Sequence, residues 1–248
     1  MSFSLASVFS LAIAWQAMPA AEAVTFQQED VCAEAARFYQ QQRFGIAISY
    51  LTRCFEDETA PDPDRILFFR AMSYFGLDQR DEAMADLNAA IEINQEEPTY
   101  IMARAHLYLL EGRYGEAVVD YDYYASVREE GPQERTALEA IEGFWAPDPR
   151  ATNAGRFACP TGPLRIDTEP PDKYESLRLN GRHLIATVLS TGRSAFVIRY
   201  LNEDRRSPGG ELVAWLLYMP NDFQFIWRRT DWRGFTDYTP IRTRCIQR

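Results

Sequence analysis

The chain of 248 residues is poor in the side chains that most enzymes use for acid–base and nucleophilic chemistry. It has two histidines, His106 and His183, a single lysine, Lys173, and four cysteines. No His-x-x-x-His, Cys-x-x-Cys or glycine-rich phosphate loop occurs. The sequence signatures of a nucleophile–base pair, a metal helix, a redox pair and a nucleotide site are therefore missing. We expect a protein without a catalytic centre, cofactor or bound metal.

The sequence also lacks an apolar run long enough to cross a membrane. Residues 5–17 are apolar but are fewer than the roughly 20 that a bilayer requires. The small-residue triplet Ala21-Glu22-Ala23 follows and suits signal-peptidase cleavage, although no basic residue precedes Arg37. We predict a signal peptide over residues 1–23 and an exported, periplasmic or extracellular mature chain without a transmembrane segment. A core helix or a membrane anchor is the alternative for residues 5–17.

The four cysteines fall into two pairs, each within one half of the chain. An oxidising compartment favours disulfides between Cys32 and Cys54 and between Cys159 and Cys245. The alternative of a zinc site lacks the usual ligand spacing.

Charge divides the chain into two unlike halves. Residues 24–150 contain 25 acids and 11 bases, a net charge of −14, whereas residues 151–248 contain 10 acids and 15 bases, a net charge of +5. Opposite net charges predict that the two halves attract each other.

An internal repeat runs through the acidic half. The segments Arg80-Asp81-Glu82-Ala83 and Tyr114-Gly115-Glu116-Ala117 align at a spacing of 34 residues. Large, small and aromatic positions recur around them, as Leu67, Ala71, Tyr74, Ala83, Leu87 and Ala90, and then as Ile101, Ala105, Tyr108, Gly112, Ala117 and Tyr121. A looser first copy, displaced by 36 residues, has Val31, Ala35, Phe38, Phe44, Ala47 and Leu51. This pattern resembles the tetratricopeptide repeat (TPR), a stacked array of helical hairpins.

Some positions depart from that family. Glu34, Arg70 and Arg104 occupy a position that the family usually fills with leucine. Residues 133–144 have apolar side chains at helical spacing, and we predict that they form a capping helix that covers the last hairpin.

The resemblance implies that the first helix of each hairpin lines a concave groove. The predicted partner-binding residues are Phe68, Phe69, Met72, Phe75, Met102, His106, Leu109 and Leu110. Family members that bind acidic C-terminal peptides have cationic and amide side chains there, so this chain is not expected to do so. Two hypotheses remain: the capping helix or the C-terminal half fills the groove, or an apolar peptide from another protein binds in it.

The C-terminal half has a period of two after the proline-bearing segment 145–149. Residues 183–189 and 195–201 flank a turn at 190–193, and residues 212–219 and 223–230 flank a second turn at 220–222, which predicts two hairpins. Further strands are expected at 176–179, 234–238 and 241–246.

We therefore predict an α+β chain: a signal peptide at 1–23, a TPR-like solenoid of about three hairpins plus capping helix at 24–146, a linker at 147–158, and a small antiparallel β-sheet domain, a barrel or a sandwich, at 159–248.

Basic and aromatic residues alternate near the C-terminus, as Arg228, Arg229, Arg233, Arg242 and Arg244 with Trp227, Trp232 and Phe235. Such a cluster suits an anionic surface, but a solvated sheet face or one docked on the acidic helices is the simpler hypothesis, and export argues against nucleic acid.

The leading functional hypothesis is an exported scaffold whose groove binds a protein or peptide partner in the cell envelope, together with association with the envelope surface. The alternatives are binding of a small apolar ligand or an anionic surface by the β domain, and a cell-envelope hydrolase.

Overall fold

The computed structural model describes residues 28–57, 60, 62–147, 164–168, 176–179, 182–200, 213–222, 224–231 and 242–245. The predicted signal peptide, most of the predicted linker, the strand expected at 234–238 and Cys159 lie outside these residues. The predictions that concern them, including the disulfide between Cys159 and Cys245, stay predictions.

Within residues 28–127, six helices form three antiparallel hairpins. They are α1 (Gln28–Gln40), α2 (Phe44–Phe55), α3 (Pro63–Gly76), α4 (Arg80–Ile93), α5 (Pro98–Leu110) and α6 (Tyr114–Val127). Each helix packs against the next in chain order. The predicted array of three hairpins is confirmed.

The three hairpin turns share one backbone conformation. Gln42, Asp78 and Gly112 occupy equivalent repeat positions, and their φ angles of 57°, 62° and 75° lie in the left-handed region. The amide N–H of the next residue returns in each case to a carbonyl five residues back, as from Arg43 to Phe38. Of these three residues, Gly112 is the one whose residue type most clearly indicates this conformation in the sequence, because glycine adopts positive φ without steric cost.

The small residues of the repeat lie where the two helices of a hairpin cross. Ala47, Ala83 and Ala117 are all 0% exposed. Helix axes approach to about 8–10 Å only where the contacting side chains are small. The prediction that these alanines are the contact points is confirmed.

The segment after the third hairpin differs from the predicted capping helix. Only α7 (Ala137–Ala140) is helical, and it begins at a capping box in which Thr136 and Glu139 bond to each other's backbone N–H. The chain then turns at Gly143, whose φ is 137°, into strand β1 (Gly143–Pro147). The apolar side chains of this segment face the sheet: Leu138 and Ile141 pack in one core with Trp145. Their helical spacing therefore reflected burial against the sheet and not a long helix.

Between residues 143 and 245, the described residues form eight antiparallel strands that follow one another in chain order. After β1 come β2 (Leu164–Thr168), β3 (Ser176–Leu179), β4 (Arg182–Thr191), β5 (Ala195–Tyr200), β6 (Ala214–Asn221), β7 (Gln224–Arg229) and β8 (Arg242–Cys245). The two predicted hairpins are β4–β5 and β6–β7, so the predicted antiparallel domain is confirmed.

Strand pairing is consecutive from β1 to β8, and β8 also pairs with β1. Among the described residues, β7 and β8 share two residue pairs, Gln224 with Thr243 and Phe225 with Arg242. The broad part of the sheet is formed by β4 to β7. Strands β1 and β2 were not predicted, and β1 occupies the expected boundary between the helical domain and the linker.

Candidate functional site

The first helices of the hairpins, α1, α3 and α5, share an aromatic face, which we term the inner face. The ring of Tyr39 meets the edge of Phe69 at a centroid distance of 5.2 Å. Phe68 packs against Tyr100 at 5.0 Å, and the Phe75 ring lies 5.7 Å from the His106 ring. Neighbouring repeats are therefore joined along this face by ring contacts, each of which adds about 0.5–1.5 kcal/mol beyond simple burial.

The structure divides the predicted groove residues into two sets. Met72, His106 and Leu109 are buried, with 6%, 1% and 1% exposure. The half-buried set, which retains accessible surface, is Phe68, Phe69, Phe75, Met102 and Leu110. Partner binding by all eight residues stays a prediction, and the accessible set is its candidate site.

Met72 belongs to the packed core of the array. It joins Leu87 of α4 and Ala103 and Leu107 of α5 in one apolar cluster. It therefore supports the inner face from below.

The sequence analysis missed Tyr39, which extends the inner face onto the first hairpin. The signal was present, because Tyr39 occupies the same repeat position as Phe75 and Leu109.

The sheet is packed mainly on the last hairpin. Helix α6 contacts β4 and β5, and α7 contacts β5. Tyr121 of α6 shares an apolar cluster with Val197 and Leu216 of the sheet, and Leu109 belongs to the same cluster. The sheet thus covers the end of the array and borders the inner face at its third repeat.

Behind the inner face, arginine and aspartate join the two helices of a hairpin. Arg70 donates from Nε and Nη2 to the two carboxylate oxygens of Asp86, both at 2.7 Å, and from Nη1 to the hydroxyl of Thr52 on the preceding hairpin. The bonded carboxylate raises the pKa of Arg70. Asp86 is 7% exposed, so the pair shields a charge that burial would otherwise penalise.

The third hairpin repeats this arrangement. Arg104 donates to both oxygens of Asp120 at 2.8 Å and to the amide oxygen of Asn88 at 3.1 Å. Arg104 and Arg70 occupy the position where the family usually has leucine. In place of an apolar contact, each arginine therefore forms hydrogen bonds within its own hairpin and to the preceding one. The first hairpin lacks this arrangement, because Glu34 occupies that position and pairs with Arg37.

A second polar link joins the outer ends of α3 and α5. Asp64, which is 9% exposed, accepts hydrogen bonds from the hydroxyl of Tyr100 and the side-chain amide of Asn94, both at 3.0 Å. Burial alone raises the pKa of Asp64, but the hydrogen bonds outweigh it and the pKa is lowered overall. Burial and the bonded carboxylate raise the pKa of Tyr100.

The predicted disulfide between Cys32 and Cys54 is present, with Cα atoms 5.3 Å apart. It ties α1 to the end of α2 and so fastens the first hairpin. A surface pocket of about 140 Å³ lies beside it, lined by Cys32, Ala36, Leu51, Cys54, Asp62, Arg65, Ile66 and Phe69.

Hydrogen bonds hold the sheet to the helices. The carboxylate of Asp122 on α6 accepts the backbone N–H groups of Arg193 and Ser194, at 2.7 and 2.6 Å, in the turn between β4 and β5. The hydroxyl of Tyr218 donates to Glu130 at 2.6 Å. Asp122 on α6 and Glu130 after it thus accept hydrogen bonds from neutral donors of the sheet module. The attraction between the net charges of the two halves stays a prediction.

The predicted arginine–aromatic cluster is distributed over several contacts. Arg228 donates to the hydroxyl of Tyr121 on α6, Arg229 pairs with Asp231, and the guanidinium of Arg242 lies 5.7 Å from the ring centre of Trp227. Arg228 therefore supports the hypothesis that this part of the sheet docks on the helices. The described residues do not include Arg233, Trp232 or Phe235. In the strand register, Arg244 on β8 lies opposite Trp145 on β1.

The described ranges contain no group of three or more His, Cys, Asp or Glu side chains placed to hold a metal ion. None of the helices described is long and apolar enough to cross a membrane.

Comparison with known proteins finds a family match for part of the helical half. Residues 64–97, which span the second hairpin, match the tetratricopeptide repeat model. Among solved structures the chain is similar to "First TPR of Spaghetti (RPAP3) bound to HSP90 peptide SRMEEVD", with 20% identity over 41% of this chain and 79% of that one, and a TM-score of 0.38. No curated protein matches the chain. The match to the repeat model thus falls on the second hairpin, and the hairpins before and after it have the same TPR-like packing, followed by an antiparallel sheet.

Proposed function

We propose that the chain is a protein-binding scaffold whose inner face binds an apolar peptide segment of another protein. The observation that carries the proposal is the accessible row of Phe68, Phe69 and Phe75 on α3 with Met102 and Leu110 on α5. Half-buried aromatic and methionine side chains are the groups on which apolar peptide anchors pack, and methionine adapts to different partner shapes.

The charge of the inner face favours an apolar peptide over an acidic one. The first-helix segment from Phe68 to Phe75 has one cation, Arg70, and that side chain is bound to Asp86 behind the face. In the corresponding segment of α5, Arg104 is bound to Asp120 in the same way. An acidic peptide would therefore meet few free donors here.

A selection experiment tests this proposal. The full chain is used to select binders from a displayed peptide library, and the selected peptides are then titrated against variants. We expect apolar sequences, and at least tenfold weaker binding after Met102→Glu with Leu110→Glu, because each charge would be desolvated against the peptide. Leu77→Glu is the control, since Leu77 is 46% exposed in the turn after α3. Selected peptides that bind the paired variant as tightly as the wild type would contradict the proposal.

Export to the cell envelope or beyond belongs to the same proposal. The disulfide between Cys32 and Cys54 supports it, because such bonds persist mainly in oxidising compartments. Mass spectrometry of the protein recovered from its producing cells provides the test. A chain that begins at Val24 is expected, and an intact chain that retains residues 1–23 would argue against export.

The sheet domain is the weaker candidate for ligand binding. Trp145, Phe196 and Phe225 fill its interior and are each 0% exposed. An apolar ligand would have to displace this packed core, so we place the binding function on the helices.

A further inference from the structure

An exposed apolar row runs along the outer side of α6. Val119 is 66% exposed, Tyr123 43% and Val127 41%, and because they are four residues apart they lie on one side of the helix. The hydroxyl of Tyr123 donates to the carbonyl oxygen of Gln95 at 3.2 Å, so the row lies beside the end of α4. Ile93, two residues before Gln95, is 52% exposed. These four apolar residues are termed the outer patch.

The outer patch is separate from the surfaces already described. The side of α6 that packs on the sheet has Val118, Tyr121 and Ala125, all buried. The inner face is formed by first helices, whereas the outer patch is formed by the second helices α4 and α6. Single exposed apolar side chains are ordinary, whereas a row of three along one side of a helix marks a contact surface.

The segment of the chain that contains the outer patch is acidic, which favours one kind of partner. Residues 80–130 contain twelve acids and four bases, a net charge of −8. Glu92 and Glu96 are exposed beside Ile93 and Gln95. The four bases are each bound to an acid, in the pairs Arg80–Asp78, Arg104–Asp120, Arg113–Glu116 and Arg128–Glu130.

We propose that the outer patch docks a cationic amphipathic helix of a partner protein. A helix with apolar side chains three and four positions apart would pack along Val119, Tyr123 and Val127, and its flanking lysines or arginines would face Glu92 and Glu96. A second copy of the chain docked through the same patch would bring two segments of charge −8 together, and an anionic membrane would be repelled likewise. Charge complementarity therefore selects a cationic partner. The chain would then bind two partners, one on each side of the array.

The test uses the full chain and a fluorescent 16-residue peptide with leucines at heptad spacing and flanking lysines. A scrambled peptide of the same composition is the peptide control. Fluorescence anisotropy should show at least tenfold weaker binding after Val119→Ser with Val127→Ser. Glu92→Gln with Glu96→Gln should weaken binding and reduce its dependence on salt, because fewer screened charge contacts remain. Leu77→Ser and the inner-face pair Met102→Glu with Leu110→Glu should bind as the wild type does, which separates this proposal from the previous one.

Three results would overturn the proposal, provided that circular dichroism shows folded variants. The scrambled peptide could bind equally well, which would reveal unspecific charge attraction. The serine variant could bind as tightly as the wild type. Sedimentation could reveal a dimer that the same serine substitutions abolish, which would make a second copy the occupant.

Discussion

The bond between Arg104 and Asp120 provides the sharpest test of how the repeats are held together. Asp120 has a side chain that is 8% exposed, and Arg104 one that is 23% exposed. Arg104→Leu restores the usual residue of the family but leaves the carboxylate of Asp120 buried without its bidentate partner. Breaking a buried pair costs about 3–5 kcal/mol, and the partial exposure of Arg104 reduces this to about 2–3 kcal/mol. We therefore expect Arg104→Leu to destabilise the protein.

The double variant distinguishes this explanation from loss of packing. Asp120→Leu added to Arg104→Leu removes the unpaired charge and should recover most of the loss, with a coupling of about 2 kcal/mol. Urea unfolding followed by circular dichroism at 222 nm measures each corner of the cycle. The control cycle uses Arg113 and Glu116, whose side chains are 45% and 50% exposed and should show no measurable coupling. Equal coupling in the two cycles would refute the reasoning.

Three further predictions concern the other links of the molecule. The hydrogen bonds that lower the pKa of Asp64 should stabilise the fold above pH 4 by about 1 kcal/mol, and this contribution should be lost as the pH falls through the lowered pKa. Asp64→Asn should therefore flatten the acidic side of a plot of unfolding free energy against pH. An unchanged acidic side would contradict the assignment. Gly192→Ala should lower the melting temperature, because a Cβ there would collide with the Asp122 carboxylate, which is fixed by two hydrogen bonds. Gly115→Ala, with open space around it, should leave the temperature unchanged or raise it slightly, because alanine is favoured over glycine in a helix. Replacing Cys32 and Cys54 by serine should cost about 3.5 kcal/mol and preserve the helical signal, and the double variant should unfold at a lower urea concentration.

The repeats were predictable because their signal is local and recurs. Ala83 and Ala117 are buried for the same reason at the same spacing, so the pattern alone located the hairpins. The turns were harder to predict, because Gln42 and Asp78 adopt the left-handed backbone conformation of Gly112 although each has a side chain. That conformation is imposed by the helices on either side.

The candidate site was predicted only in outline, because burial depends on neighbours that are distant in sequence. Met72 and Phe75 have similar apolar character, yet Met72 is core and Phe75 is half-buried. The Arg104–Asp120 bond joins residues 16 positions apart on different helices, which no spacing rule of a single helix covers. Its repetition at Arg70 and Asp86 is the signal that the sequence offers, although there the two arginines stand out only as departures from the family pattern.

The error over residues 133–144 explains how the array can end after three hairpins. A solenoid needs a terminal cap because its last helix otherwise exposes an apolar side. Here Val118 and Tyr121 of α6 are covered by β5 and β6, so the sheet does what a capping helix would do. The Asp122 carboxylate fixes the β4–β5 turn on that helix, and Gly192 permits the close approach. The sheet on α6 thus caps the end of the array. The described helices keep the inner face of α3 and α5 on one side and the outer patch on the other, which is the geometry that a two-sided scaffold requires.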